Sequence, residues 1–178
     1  MKFFSDIRLL LLSLWLGAAV FFIAVAQSAF AVVPQRELAG AVVGRTLSIL
    51  NFAGLGIAVV LLLTSFVISR VPINKFLIWA ERSLLVVLAA ACGVGQFVIG
   101  WMLASVRGQL GRPIDEVAAD DPLRIQFNNL HEWSVWVLFA GMVAAFLVFF
   151  IITNRRSGAA AKKVDPAAPY DFSKEFKI

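Results

Sequence analysis

The fold is decided by residues 121–134, which read DPLRIQFNNLHEWS. Aspartate is favoured as the residue that caps a helix N-terminus and proline as the first helical residue, so Asp121 and Pro122 predict a helix start. From there the sequence continues to about Thr153 without another proline, and its second half is apolar. The pattern predicts one long helix that begins in a charged loop and then enters a membrane.

Composition places the whole chain in the membrane class. Hydrophobic residues make up 61% of the chain and the mean hydropathy is +0.88, whereas soluble proteins are roughly 45–50% apolar. Four uncharged runs each exceed the roughly 20 residues that a spanning helix needs. They are residues 9–34, 46–69, 83–106 and 133–154. We therefore expect an all-α integral membrane protein, with four transmembrane helices in an antiparallel bundle and the fourth helix extended outward.

The same runs predict the organisation of the chain. The first run contains, near its end, Ala29-Phe30-Ala31, which resembles a signal-peptide cleavage site. It is longer than the roughly 7–15 apolar residues of a cleaved signal, so we expect a retained helix. The predicted segments are an N-terminal lead (1–8), spans at about 9–33, 46–69, 83–106 and 132–154, an outer loop (107–121), a helical extension (122–131) and a basic disordered tail (155–178).

The distribution of positive charge predicts the orientation. Eleven of the sixteen lysines and arginines lie in the N-terminal lead, the connection between the second and third runs, and the C-terminal tail. The positive-inside rule then places both termini in the cytoplasm. Basic pairs in the tail predict attraction to anionic lipid headgroups, at about 1 kcal/mol per charge. No nucleic-acid-binding motif accompanies the net charge of +5, so we expect a lipid bilayer and no nucleic acid as partner.

Polar residues in or beside the apolar runs are the candidate functional groups, because such groups are uncommon inside a bilayer. If the small-residue faces of the helices converge, these side chains would form a shallow recess open to the outer face. That recess would bind a partner protein, a lipid or a small solute. The candidate residues are His131, Asn128, Arg124, Ser134, Gln96, Asn51, Gln27 and Arg45.

Catalytic and metal sites are not expected in one chain. There is one histidine, His131, and one cysteine, Cys92, whereas zinc and copper sites combine several such ligands. No GxSxG, HExxH or phosphate-cradling glycine loop occurs. We therefore expect no enzyme activity and no cofactor. Two alternatives stay open: His131 as a hydrogen-bonded structural imidazole, and cation binding by the acidic outer loop.

Several short motifs resemble a known family. They are Trp15-Leu16-Gly17, Ala39-Gly40, Arg112-Pro113-Ile114-Asp115-Glu116, the stretch from Asp121 to Arg124, and the pattern F-x-x-L-H-x-x-S that runs from Phe127 to Ser134. Together they resemble the bacterial domain-of-unknown-function 4149 family, the relatives of transmembrane protein 205. The resemblance implies a four-span protein of the bacterial inner membrane without an agreed activity. A more distant similarity to the copper-resistance D membrane proteins comes without their additional histidines and methionines.

Three functional hypotheses follow. The first is a non-enzymatic protein that binds a partner at its outer face. The second is a component of small-molecule or metal-ion transport or resistance that acts as a homo-oligomer, because four helices enclose little room for a pathway. The third is a membrane redox or metal-handling subunit, for which a haem with two histidine ligands would require a dimer.

Overall fold

The computed structural model describes residues 2–68 and 75–161, with side chains described for residues 3–66 and 75–155. Within these ranges every regular element is helical. The elements in chain order are α1 (Lys2–Val32), α2 (Arg36–Ile68), α3 (Lys75–Gly93), one π-helix (Val94–Ile99), α4 (Gly100–Leu110), a 3₁₀ turn (Ile114–Glu116) and α5 (Pro122–Ala161).

Four stretches of helix are long and apolar enough to cross a membrane. They are Phe3–Val32, Arg36–Phe66, Lys75–Leu110 and Pro122–Arg155. The third consists of α3, the π-helix and α4, which follow one another without a break. The prediction of an all-helical, four-span integral membrane protein is confirmed.

The helices extend beyond the apolar runs that predicted them. α2 begins at Arg36 and α3 at Lys75, both well before the expected spans. Hydropathy marks the part of a helix that suits hydrocarbon, whereas the flanking polar residues are themselves adequate helix formers. α5 likewise continues to Ala161, into the region expected to be disordered, and residues 159–161 are alanines that favour a helix. The rest of the expected tail, residues 162–178, lies outside the described residues.

The four spans form a closed ring in chain order. α1 packs against α2 and α5, α2 packs against α3, and α3 packs against α5, while the π-helix contacts both α2 and α5. The centre is filled by side chains from all four spans. The largest fully buried apolar side chains there are Leu12, Leu61, Leu85, Leu88 and Val148. Many large apolar side chains point outward instead, as expected where lipid is the solvent.

A close approach between helices explains the position of Gly54. The indole nitrogen of Trp15 on α1 donates a hydrogen bond to the carbonyl oxygen of Leu50 on α2, at 3.0 Å. A Cβ at Gly54 would lie 2.5 Å from that nitrogen and 2.6 Å from the sulfur of Cys92. Only glycine leaves room for both side chains, so Cys92 is accounted for as a small buried packing residue.

Candidate functional site

The ion pairs of the described residues lie at the two ends of the bundle, and the two ends differ in kind. We call the end that holds Arg8, Glu81 and Arg155 the basic end. The opposite end holds the 3₁₀ turn and the start of α5, and we call it the loop end. All eight residues predicted from the sequence fall between the middle of the bundle and the loop end.

The connection from α4 to α5 is attached to the bundle at the loop end. α4 ends at Gly111, whose φ of 59° is the left-handed conformation that favours glycine at a helix C-terminus. In the 3₁₀ turn that follows, Asp115 accepts a hydrogen bond from Arg36 of α2, at 3.1 Å between Nη1 and Oδ1. These two side chains are 66% and 43% exposed, so this ion pair is a surface contact.

The start of α5 is also fixed from within the connection. The carboxylate of Asp121 accepts a hydrogen bond from the backbone N–H of Leu123, at 2.8 Å, which confirms the predicted helix cap. One turn into the helix, the guanidinium of Arg124 donates to the carbonyl oxygen of Val117, and the Val117 side chain is buried. Arg124 therefore holds the connection against α5.

A third arginine joins three elements at this end. The guanidinium of Arg107 on α4 lies over the ring of Phe127 on α5, at 5.2 Å from the ring centre. Its Nη2 also lies 3.5 Å from where a Cβ of Gly40 on α2 would stand. Arg107, Arg124 and Arg36 thus tie the loop end together, and their partners are an aromatic ring, a carbonyl oxygen and a carboxylate, respectively.

His131 and Asn128 are exposed on the helix that these arginines fix. The hydroxyl of Ser134 donates to the carbonyl oxygen of His131, at 2.6 Å, so it is satisfied within α5 itself. We call the surface formed by Arg124, Asn128 and His131 the polar face of α5. It is available from outside because Asn128 and His131 are exposed, whereas Arg124 is half-buried.

Asn51 and Gln96 lie deeper, beside the π-helix. Asn51 is only 5% exposed, and its Nδ2 is 3.2 Å from the position that a Cβ of Gly95 would take. The π-helix that contains the half-buried Gln96 closes with a hydrogen bond from the N–H of Gly100 to the carbonyl of Gly95. π-helical turns occur frequently at functional sites. Asn51 therefore adjoins the segment that contains Gln96.

The remaining predicted residues lie apart. Gln27 on α1 and Arg45 on α2 are exposed. A shallow groove of about 430 Å³ does open between α1 and α2, but Gln27 and Arg45 do not line it. Its lining is apolar except for one hydroxyl, and consists of Phe21, Ala24, Val25, Ser28, Ala29, Val32, Val33 and Val42. One recess that unites all eight residues stays a prediction.

The basic end contains a buried ionic network that the sequence interpretation missed. Glu81 of α3 is completely buried. Its Oε1 accepts a hydrogen bond from Nη2 of Arg8 on α1, at 2.5 Å, and its Oε2 accepts one from Nη1 of Arg155 on α5. The same Nη2 of Arg8 donates to the carbonyl oxygen of Leu61 on α2, at 3.2 Å. One carboxylate and two arginines therefore connect all four spans.

Arg82 of α3 makes further contacts with α2 at this end. Arg82 donates from Nε to the hydroxyl of Ser65 and from Nη2 to its carbonyl oxygen, both at 3.3 Å. Its guanidinium also lies 4.1 Å from the ring centre of Phe66. Arg82 is therefore satisfied by α2, whereas Arg8 keeps a buried Nε for which the described residues offer no acceptor.

A signal for Glu81 does exist in the sequence. It is the only acidic residue between Glu37 and Asp115. Its spacing from Ile78, Leu85 and Leu88 places it on the buried face of α3, where a charged residue requires a partner. The sequence interpretation used charged residues only to mark the ends of the apolar runs, and it therefore missed the position of Glu81 on the buried face.

The polar side chains at the two ends are of different kinds. Among the described residues no three histidine, cysteine, aspartate or glutamate side chains come together as a metal site would require. The basic end offers guanidinium donors, and the loop end offers an exposed imidazole and amide.

Comparison with known protein families gives a match. The family model described as "Domain of unknown function (DUF4149)" matches residues 10–112, which is more than half of the chain. The matched part includes Trp15-Leu16-Gly17 and Ala39-Gly40, but the pattern from Phe127 to Ser134 lies beyond it. No curated protein and no solved structure matches the chain.

Proposed function

Because the chain belongs to the DUF4149 family, whose description assigns no activity, we propose its function from its geometry. The protein is a non-enzymatic, multi-pass membrane protein that binds a partner protein through the polar face of α5. The bilayer holds the four spans, and the loop end presents the binding surface.

One observation carries this proposal. The start of α5 is fixed by contacts of Arg36, Arg107 and Arg124 while Asn128 and His131 remain exposed. A helix that is already fixed before binding loses less conformational entropy when the partner associates. A rigid helix with exposed polar groups is therefore suited to recognition.

The shape of the face favours a protein over a small solute. Small-molecule sites are concave and enclose most of their ligand, whereas the polar face of α5 is the convex surface of one helix. Ile125 and Trp133 beside it are also exposed, so apolar area adjoins the polar groups. Protein interfaces combine an apolar centre with a polar rim in this way.

Photo-crosslinking in native membranes tests the proposal. A photoreactive amino acid at Asn128 or His131 should yield discrete protein adducts, and the same amino acid at Trp101, an exposed residue of α4, should not. Adducts with lipid alone at all three positions would contradict the proposal. Affinity purification of the adducts then identifies the partner.

The π-helix favours a second function, transport or resistance by an oligomer. Asn51 and Gln96 bring amide groups to the middle of a bundle whose centre is otherwise filled with apolar side chains. A pathway for a small molecule or a metal ion would then require a second copy. Cysteine at position 51 or 96, in a Cys92→Ala background, should react with a membrane-impermeant thiol reagent if water reaches this segment. Complete protection of both cysteines from the reagent would count against the transport function.

The orientation is part of the proposal. The basic end faces the cytoplasm of a bacterial inner membrane, since positive charge concentrates on the cytoplasmic side of membrane proteins. A reporter that is active only in the cytoplasm should be active when it is fused to either terminus. Activity of a reporter that works only outside the cytoplasm would instead reverse the proposed orientation.

A further inference from the structure

The buried network at the basic end has more positive than negative charge. Two guanidinium groups, of Arg8 and Arg155, share the single carboxylate of Glu81. One negative charge cannot neutralise two positive ones, and an unbalanced buried charge is costly. Each oxygen of the carboxylate accepts a hydrogen bond from one of the arginines, so both guanidinium groups depend on the same negative charge.

The same network has more donors than acceptors. Nε of Arg8 is buried and has no acceptor among the described residues. Arg155 uses Nη1 for Glu81, and its side chain is 12% exposed, so the network can be reached from outside at this residue. Arg82 differs because Ser65 and Phe66 already occupy its guanidinium. The surplus of donors therefore belongs to Arg8 and Arg155.

The position of the network suggests which anion completes it. Phe76 and Trp79 precede Glu81 on α3 and are both strongly exposed. Tryptophan is enriched at the membrane–water interface, where lipid headgroups lie. Arginine forks bind phosphate oxygens in a bidentate manner, which supplies charge and acceptors together.

We propose that the basic end binds a phosphate group at the accessible edge of Arg155, where the phosphate also offsets the charge of the buried Arg8, with Glu81 as the residue that positions both arginines. The ligand is an anionic phospholipid headgroup or free inorganic phosphate, and both provide the same chemistry. The site lies at the opposite end from the polar face of α5 and is independent of the function proposed for that face.

Binding to the full-length protein in a neutral detergent tests this site. Short-chain phosphatidylglycerol, short-chain phosphatidylcholine and inorganic phosphate are titrated separately, with thermal stability as the readout. Stabilisation by phosphatidylglycerol beyond phosphatidylcholine identifies a lipid ligand, and stabilisation by inorganic phosphate alone identifies the free anion. If neither raises the unfolding temperature, the proposal is overturned.

Variants distinguish binding at a specific site from general electrostatic attraction to the basic end. Arg155→Gln should weaken binding about tenfold, as expected for loss of a charge-assisted hydrogen bond. Arg82→Gln removes the same charge from the same end, but it should leave binding nearly unchanged. Equal weakening by both changes would overturn the proposal.

A conservative variant keeps the test valid if Arg155→Gln fails to fold. Arg155→Lys retains the charge but loses the planar fork, so binding should still weaken measurably. Wild-type affinity in Arg155→Lys, together with a folded protein by size-exclusion chromatography, would remove Arg155 from the site.

Discussion

The two ends of the bundle use arginine–carboxylate pairs for opposite purposes. At the basic end Glu81 is completely buried and joins α3 to Arg8 and Arg155 of two other spans. At the loop end Arg36 and Asp115 form a similar pair whose side chains are largely in solvent. Removing one partner of a buried pair costs about 3–5 kcal/mol, whereas exposed pairs contribute about 0–1 kcal/mol. The basic end therefore holds the spans together, and the loop end orders a surface.

The largest effect should follow from removal of Glu81. Glu81→Ala leaves two buried guanidinium groups without their carboxylate, so the free energy of unfolding should fall by about 3–5 kcal/mol. Unfolding by a denaturing detergent, followed by tryptophan fluorescence, measures this change. Asp115→Ala is the matched control at the loop end, and it should cost less than about 1 kcal/mol. An equal decrease in the free energy of unfolding in the two variants would contradict the proposed difference between the ends.

Gly54→Ala should give the next largest effect, in the middle of the bundle. The added Cβ would overlap the indole of Trp15 and the sulfur of Cys92. Overpacking of this kind costs about 1–3 kcal/mol. Gly56→Ala is the control, because a Cβ at Gly56 meets nothing within 4 Å. The same unfolding assay should show Gly56→Ala at or above wild-type stability, and a similar loss in both variants would contradict the packing described for Trp15.

Arg124→Ala should loosen the loop end without unfolding the bundle. It removes the hydrogen bond to the carbonyl of Val117, a change of about 1 kcal/mol. Amide hydrogen exchange of residues 113–121 should become faster, while exchange in the spans stays unchanged. Faster exchange throughout α3 and α5 would mean that the loop end also supports the bundle.

The smallest effect on stability should come from His131→Ala. His131 is exposed, and exposed substitutions usually change stability by less than about 0.5 kcal/mol. The variant should therefore fold normally but lose the protein adduct that a photoreactive amino acid at Asn128 forms. Loss of folded, membrane-inserted protein would instead assign His131 a structural role.

The sequence predicted the elements of this fold better than their contacts. Apolar runs identify the four spans because the bilayer imposes a minimum length on each helix. Asp121 and Pro122 identify the start of α5 because capping is a local property. Both signals can be read without knowledge of the rest of the chain.

The network around Glu81 required tertiary information. Arg8 and Glu81 are 73 positions apart, and Arg155 and Glu81 are 74 positions apart. The hydropathy pattern placed Arg8, Glu81 and Arg155 outside the predicted spans. The helices are longer than those spans, and all three side chains lie largely buried between them. The π-helix was equally hidden, because no local pattern at Gly95 or Gly100 distinguishes it from an α-helical turn. At the loop end, the sequence identified His131 and Arg124 as candidate functional residues, but it did not predict the contacts of Arg107 and Arg124.

Two double-mutant cycles test the central claim most directly. The cycles measure the coupling free energy between Glu81 and Arg155 at the basic end, and between Arg36 and Asp115 at the loop end. If the buried network holds the spans together, the first coupling should be about 2–3 kcal/mol and the second less than about 1 kcal/mol. A first coupling no larger than the second would show that the basic end does not hold the bundle together.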